Sequence, residues 1–175
     1  TLHVLGLLGE GGVHSHSEHL YAFINLAKKN GIERIALDIF TDGRDTPPQS
    51  AARYLKDLEG FLAQAGVGFI ATVSGRYYAM DRDSNWGRIS KVEQALFECK
   101  GNVCALKNVT ASDLVAQMYK EGKMDEYLEP IVCLDQFGRG CKIENKDGVF
   151  FFNFRADRAR MLSLKILEKI EKMDI

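Results

Sequence analysis

The feature that most constrains the fold is a regular alternation of short apolar runs with longer amphipathic segments. Each apolar run is followed by a polar loop and then by apolar residues at the spacing of one helix face. Strands that alternate with helices pair into a mostly parallel sheet through right-handed crossovers, with helices on both faces. The sequence therefore predicts an α/β fold. The predicted strands are Leu2–Leu8, Ile35–Phe40, Val67–Val73, Asn102–Lys107 and Gly148–Asn153.

Beyond Cys99 the pattern is less regular. Thr110–Asp113 resembles a capping box, which predicts the start of a helix there. Pro130–Leu134 and Cys141–Ile143 flank a glycine-rich turn, and this arrangement predicts a β-hairpin in the C-terminal half. No internal repeat or long linker divides the chain, so residues 1–175 are predicted to form one domain.

Composition and charge narrow the classes of function. The net charge of -1 argues against a nucleic-acid binder that relies on a basic surface. No run approaches the roughly 20 apolar residues of a membrane-spanning helix, so no membrane partner is predicted. The four cysteines form no C-x-x-C pair, which favours free thiols in a reduced, cytoplasmic protein, although Cys133 and Cys141 could face each other across the hairpin. Because strand-like sequence begins directly after Thr1, we expect a longer protein.

The loops that follow four of the predicted strands carry an unusual density of arginine. In a parallel sheet these loops meet at one edge, where α/β proteins bind their ligands. Five arginines at one edge repel each other, so the arrangement calls for an anionic ligand or for matching carboxylates. Arginine grips phosphate and carboxylate groups through paired N–H donors, which favours a small molecule that bears both groups. The predicted ligand-binding residues are His14, Arg44, Asp45, Arg76, Arg82, Arg155 and Arg158.

Asp45 is the candidate catalytic residue. Its carboxylate follows Arg44 in a loop opened by Gly43, and it could accept and return the proton of a ligand hydroxyl. His14 could orient the same hydroxyl. The alternative, from the residues alone, is that Asp45 is a turn or N-cap residue ahead of Pro47.

The arginines also have a simpler interpretation. Arg76 and Arg82 share a loop with aspartates, and Arg155 and Arg158 flank Asp157 at the predicted start of the last helix, so each could form an ordinary ion pair. Surface ion pairs of this kind contribute little to stability. A shared ligand is favoured because four separate loops repeat the pattern.

Four motifs resemble, in their order along the chain, those of the cofactor-independent (bisphosphoglycerate-independent) phosphoglycerate mutases. Together they span nearly the whole chain. One departure is Gly9-Glu10, where the family has Ser-Asp. The motifs are Gly11–His16, Asp42–Pro48, Ser74–Asp83 and Asn153–Arg158.

The resemblance implies that residues 1–175 are the inserted transferase domain of a two-domain glycolytic isomerase, which interconverts 3-phosphoglycerate and 2-phosphoglycerate. It implies that the loop residues named above hold phosphoglycerate and that Asp45 moves protons at the glycerate hydroxyls. A phosphoserine intermediate, with two manganese or magnesium ions, would belong to an alkaline-phosphatase-like domain of the same polypeptide. This chain would then contain no metal or cofactor and would be inactive by itself.

Two other functions are open. The first is a free-standing module that binds phosphoglycerate or another organic phosphate without catalysis. The second is a metallohydrolase, because His14 and His16 form an H-x-H motif after the first strand, with His19 nearby. Against it, His3 lies at the other end of that strand and no later strand supplies more ligands, so no metal site is predicted. The sequence contains neither the Walker lysine loop nor the G-x-G-x-x-G motif, so it has no usual signature of nucleotide binding.

Overall fold

Strands and helices alternate along the chain as the hydrophobic pattern predicts. The computed structural model describes residues 1–105 and 109–173. The strands are β1 (Leu2–Leu7), β2 (Ile35–Thr41), β3 (Phe69–Gly75), β4 (Asn102–Ala105), β5 (Ile131–Leu134) and β6 (Gly148–Phe151). The helices are α1 (Ser17–Lys29), α2 (Ala51–Ala65), the single turn α3 (Arg76–Ala79), α4 (Trp86–Glu98), α5 (Ala111–Lys120) and α6 (Arg160–Met173), with a 3₁₀ helix at Asp125–Tyr127.

The strands form one sheet in the order β4-β5-β3-β2-β1-β6. The neighbours β6, β1, β2 and β3 are parallel, whereas β5 is antiparallel to β3 and parallel to β4. The predicted mostly parallel sheet is therefore confirmed. We call the edge at which β1, β2, β3 and β6 end the carboxyl edge. Because β5 has the opposite direction, the 3₁₀ helix that precedes it also reaches this edge.

Helices cover both faces of the sheet. One apolar core contains residues of α1, α2 and α5, and a second contains residues of α4 and α6. Val4 belongs to the first core and Leu5 to the second, because successive side chains of a strand point to opposite faces. Leu55 and Leu58 of α2 are fully buried, and such a side chain contributes roughly 1.5–3 kcal/mol. The predicted capping box at Thr110 is confirmed, with reciprocal bonds at the start of α5.

The β-hairpin prediction is wrong in its second strand. The turn is present, with the Asp135 N–H donating to the Arg139 carbonyl at 2.8 Å, but Cys141–Ile143 is not a strand. The reason is that β5 lies inside the sheet, with β3 on one side and β4 on the other, so neither of its edges is free. The Ile143 N–H instead donates to the Leu96 carbonyl at the end of α4, at 2.8 Å.

The position of β5 inside the sheet also determines which cysteines face each other. Cys133 of β5 lies opposite Cys104 of β4 rather than opposite Cys141, and all four cysteines are free. The predicted strand that includes Cys104 is observed as Asn102–Ala105, while the remainder of the prediction, at residues 106 and 107, lies outside the described residues. Within residues 1–105 and 109–173, no helix has both the length and the apolar character needed to cross a membrane.

One charged pair lies within the sheet. His3 of β1 and Asp38 of β2 are both fully buried, and His3 Nδ1 is 2.8 Å from Asp38 Oδ2. Thr72 of β3 donates its hydroxyl to the other Asp38 oxygen at 2.8 Å. Burial alone would lower the pKa of His3, but its hydrogen bonds to Asp38 and Cys141 and the nearby negative charge raise it to about 9. We call His3, Asp38 and Thr72 the interior cluster.

Candidate functional site

In the loop after β2, the side chain of Asp42 forms a turn that positions the predicted residues Arg44 and Asp45. Asp42 Oδ1 accepts hydrogen bonds from the backbone N–H groups of Arg44 and Asp45, at 3.1 and 3.0 Å. Gly43 has a φ of +70°, and a Cβ there would lie 2.9 Å from the backbone nitrogen of Glu126. A residue with a side chain would therefore push the 3₁₀ helix away. The turn interpretation of Asp45 is correct for its backbone, while its carboxylate has a separate contact with Arg76.

Arg76 connects three of the loops at the carboxyl edge. It is the first residue after β3 and is buried. Its Nη1 lies 2.6 Å from Asp42 Oδ1 and 2.6 Å from Asp45 Oδ2, and its Nη2 lies 3.1 Å from His14 Nε2. Charge-assisted contacts of this length are among the stronger hydrogen bonds in proteins. We call Arg76, Asp42, Asp45 and His14 the edge cluster.

His14 is buried and neutral in this environment. Burial lowers its pKa, and the charges of Arg76 and Arg155 lower it further. Because a guanidinium only donates, His14 Nε2 must be the acceptor, which places the ring proton on Nδ1. Nδ1 has no hydrogen-bond partner among the described residues and lies 3.8 Å from Asp157 Oδ1. It is therefore a buried donor without a hydrogen-bond partner, and the Asp157 oxygen near it also has none.

Asp45 is ionised but accessible. Partial burial would raise its pKa, but the hydrogen bond from Arg76 and the positive charges of Arg76 and Arg44 lower it below the ordinary value. Its side chain is 23% exposed, compared with 3% for Asp42. A carboxylate held by an arginine is a weak base, so proton transfer at Asp45 would require a change in its contact with Arg76.

Arg82 and Arg155 share one carboxylate. Arg82 Nη1 lies 3.0 Å from Asp157 Oδ2, and Arg155 Nε lies 2.9 Å from Asp157 Oδ1. Both guanidinium side chains are 47% exposed. The loop that carries Arg155 is attached to the first loop, since its backbone N–H groups at Phe154 and Arg155 donate to the His14 carbonyl. The ion-pair interpretation of Arg155 with Asp157 is therefore correct.

Arg158 differs from the other four arginines. Its Nη1 donates to the Met80 carbonyl at 3.1 Å, and it has no ion pair within 4.0 Å in the described part of the chain. Burial lowers its pKa, and the charges of Arg82, Arg76 and Arg44 lower it further. The five predicted arginines thus share one edge. Arg158 precedes α6, which begins at Arg160, so the prediction of a helix start at Arg155–Arg158 is wrong.

Several carboxylates at this edge were not predicted as site residues. Arg44 is largely exposed, and its Nη1 lies 3.3 Å from Glu126 Oε1. Asp125 accepts hydrogen bonds from the backbone of Ser50 and Ala51 at the start of α2, which fixes the 3₁₀ helix on that loop. Nothing in the sequence pattern linked this segment to the loop after β2. The unpredicted carboxylates of the edge are Asp42, Asp125, Glu126 and Asp157.

The histidine motif does not form a shared cluster. His16 Nδ1 accepts the Glu18 N–H at 3.3 Å and caps α1, whereas His14 faces Arg76. Within the described ranges, no three histidine, cysteine, aspartate or glutamate side chains are grouped to bind a metal. Glu10, at the departure from the family motif, lies 3.3 Å from Arg53 of α2.

Comparison with known proteins identifies the family of this chain. The chain is 46% identical to a 2,3-bisphosphoglycerate-independent phosphoglycerate mutase of Clostridium kluyveri, over 99% of the chain and 35% of that protein. It is 47% identical to a protein of the same description from Symbiobacterium thermophilum, over 93% of the chain and 30% of that protein. It thus spans about a third of the length of the curated relatives it matches.

A crystal structure of Leishmania mexicana phosphoglycerate mutase at low cobalt concentration is also similar. Its TM-score is 0.86 at 31% identity, and the match covers 93% of this chain and 30% of that one. Residues 1–174 match the family described as BPG-independent PGAM N-terminus, where PGAM denotes phosphoglycerate mutase. The match covers all four motifs and every loop of the carboxyl edge. The chain therefore belongs to the BPG-independent phosphoglycerate mutase N-terminus family.

Proposed function

We propose that this chain binds and orients phosphoglycerate within a longer phosphoglycerate mutase, an isomerase of glycolysis that interconverts 3-phosphoglycerate and 2-phosphoglycerate. The observation that supports this most directly is the gathering of five arginines at the carboxyl edge, with Arg158 lacking a carboxylate partner in the described chain. A ligand with a phosphate and a carboxylate supplies an anionic partner for Arg158 and for the exposed guanidinium groups of Arg82 and Arg155. The names of the relatives support the same ligand.

Each predicted site residue has a role that its contacts support. Arg158 and Arg76 bind anionic groups of the ligand, and Arg44, Arg82 and Arg155, which are more exposed, complete the surrounding positive charge. His14 Nδ1 is a buried donor without a partner in the described chain, and it orients the ligand by donating a hydrogen bond to one of its oxygens. The catalytic residue is Asp45, whose ionised and accessible carboxylate accepts a hydroxyl proton and later returns it.

Phosphoryl transfer takes place, in this proposal, on a second domain of the same polypeptide. That domain would carry the phosphorylated serine and two manganese or magnesium ions, which would polarise the phosphoryl group. The described residues of this chain do not fit such a metal site, since they contain no suitable group of three ligands. Residues 1–175 are then a transferase domain. Its free cysteines fit a cytoplasmic location.

Calorimetric titration of this chain with 3-phosphoglycerate tests the proposal. We expect binding of 3-phosphoglycerate and 2-phosphoglycerate, and weaker binding of glycerate, which lacks the phosphate. Arg76→Ala should weaken binding by about 10- to 100-fold, the effect of roughly 1–3 kcal/mol for a charged contact. Arg139→Ala is the matched control, because Arg139 is exposed and pairs with Asp135 on a distant turn. Circular dichroism checks that both variants fold.

The outcomes separate the two candidate functions. Binding of 3-phosphoglycerate by the chain, together with formation of 2-phosphoglycerate by the full-length polypeptide, supports the mutase. Binding without turnover in the full-length polypeptide indicates the alternative, a module that binds phosphoglycerate or another organic phosphate without chemistry. Equal affinity of the wild type and Arg76→Ala for 3-phosphoglycerate would show that the carboxyl edge is not the binding site.

A further inference from the structure

One nitrogen of Arg76 contacts two carboxylates. Asp42 Oδ1 and Asp45 Oδ2 each lie 2.6 Å from Arg76 Nη1. A single guanidinium carries one positive charge, so the two carboxylates together carry one negative charge more than Arg76 neutralises. The edge cluster is consequently arranged so that Arg76 remains paired if either carboxylate leaves.

The two carboxylates are not equivalent. Asp42 is 3% exposed, and the oxygen that contacts Arg76 also accepts the backbone N–H groups of Arg44 and Asp45. Asp45 is 23% exposed, and in the described chain its carboxylate has Arg76 as its hydrogen-bond donor, with His14 Nε2 at 3.8 Å. Asp42 is thus held by three donors, while Asp45 is held by one.

This difference determines which carboxylate an incoming anion replaces. Displacing Asp42 would leave two backbone donors unpaired and a carboxylate stranded in a buried position, which is costly. Displacing Asp45 breaks one contact and turns an already accessible carboxylate toward water or ligand. An anionic ligand group that binds Arg76 Nη1 therefore replaces Asp45 at the lower cost.

We propose that Asp42 is the fixed counter-ion of Arg76 and that Asp45 is an exchangeable one, replaced on Arg76 by an anionic group of the ligand. Asp42 is then a positioning residue, which keeps Arg76 in place while Asp45 moves. The exchange frees the Asp45 carboxylate to face a ligand hydroxyl, so ligand binding itself prepares the base. The identity of the ligand rests on the proposed function, whereas the exchange requires only an anion.

The test compares two substitutions that remove the same charge from the same nitrogen. Asp45→Asn releases Arg76 and should tighten binding of 3-phosphoglycerate and of inorganic phosphate to this chain. Asp42→Asn leaves Asp45 as the sole carboxylate on Arg76 and should weaken binding of both anions, by about tenfold if one charged contact is lost. The asparagine retains the Oδ1 acceptor of the turn. Asp135→Asn, on the exposed turn with Arg139, is the control and should leave both affinities unchanged.

A second readout does not depend on the variants folding. Carboxyl carbon NMR of the wild-type chain should show the pKa of Asp45 rising when the anion saturates the site, because Asp45 then loses Arg76. Tighter anion binding in both variants would show that the loss of any negative charge has the same effect, and it would contradict the exchange. Weaker anion binding in both variants would contradict it too. A constant Asp45 pKa on saturation would also overturn it, and so would the absence of any anion binding.

Failure of the proposed function gives a different pattern. If inorganic phosphate binds with opposite effects of the two substitutions but 3-phosphoglycerate does not bind, the exchange stands and the proposed ligand is wrong. If 3-phosphoglycerate binds and the full-length polypeptide turns it over, but both substitutions act in the same direction, the proposed function stands and the exchange is wrong.

Discussion

The interior cluster and the edge cluster are both built from buried charged groups, yet they differ in balance. In the interior cluster, His3 meets Asp38, and Thr72 occupies the other Asp38 oxygen, so positive and negative charges match. In the edge cluster, Arg76 meets two carboxylates and lies among four further arginines. The interior cluster lies within the sheet, where His3 Nε2 has no hydrogen-bond partner among the described residues and is 3.7 Å from Asp147 Oδ2. The edge cluster opens at the ends of the strands.

In the proposed function, the same chemistry serves structure in the interior cluster and ligand binding at the edge cluster. A buried ion pair gains little over apolar packing, but removing one member leaves an uncompensated charge. The interior cluster therefore contributes to stability only as a complete unit. Around the edge cluster lie four further arginines, and His14 Nδ1 has no hydrogen-bond partner among the described residues, so in the proposed function an anionic ligand pairs with these groups. Three predictions test this contrast, from the largest expected effect to the smallest.

The largest effect should come from breaking the interior cluster. His3→Leu leaves Asp38 buried without its partner and should lower the free energy of unfolding by about 3–5 kcal/mol, as measured by urea denaturation. The double variant His3→Leu, Asp38→Leu removes both charges and should recover most of this loss. A single variant as stable as the wild type would show that the interior cluster has no structural role.

The pH dependence of stability should reveal the same cluster. The pKa of His3 is about 9 in the folded chain, above the ordinary value of 6.5, so protonated His3 favours the folded state. Its contribution is fully present below pH 6.5 and is lost as the pH rises through about 9. The shift corresponds to about 3 kcal/mol. We expect the difference in unfolding free energy between wild type and the double variant to fall by this amount between pH 6 and pH 10; a constant difference would contradict it.

The smallest effect on stability should accompany a clear effect on binding at the edge. Arg158 is repelled by its neighbours and donates to one carbonyl, so Arg158→Ala should change the unfolding free energy by less than about 0.5 kcal/mol. It should raise the Kd for 3-phosphoglycerate about tenfold, measured by calorimetry. Arg160→Ala, at the exposed start of α6, is the control. A large loss of stability with unchanged affinity would show that Arg158 has a structural role and does not bind the ligand.

Local pattern was sufficient to predict most strands of the sheet and their parallel pairing, but not the direction of β5. The strand at Val67–Val73 was identified by its apolar run, and it is displaced to Phe69–Gly75 because Gly68 has a φ of +88° and is not extended. The direction of β5 could not be predicted, since alternation of side chains is the same in both directions. It depends on the non-local pairing with β3 and β4, which also explains why the hairpin prediction failed.

At the site, the sequence indicated the arginines but not their partners. Arginines at strand ends are visible as repeated motifs, and their shared edge follows from parallel pairing. The partner of each depends on tertiary distances: Arg82 contacts Asp157 rather than the nearer aspartates of its own loop, and Arg44 contacts Glu126 from the 3₁₀ helix. Asp42 and Asp45 look alike in the motif, and only the turn geometry separates them.

The pairing of β6 with β1 has a consequence for the newly made polypeptide. Gly148 of β6 lies beside Leu2 of β1, so these two strands, far apart in the sequence, pair directly. Until they do, a growing chain presents Arg44 and Arg76 without Arg155 and Arg158, and the arginine set is incomplete. If the proposed site is correct, full anion binding requires that β6 has been synthesised and has paired with β1, so anion binding would report the formation of this pairing.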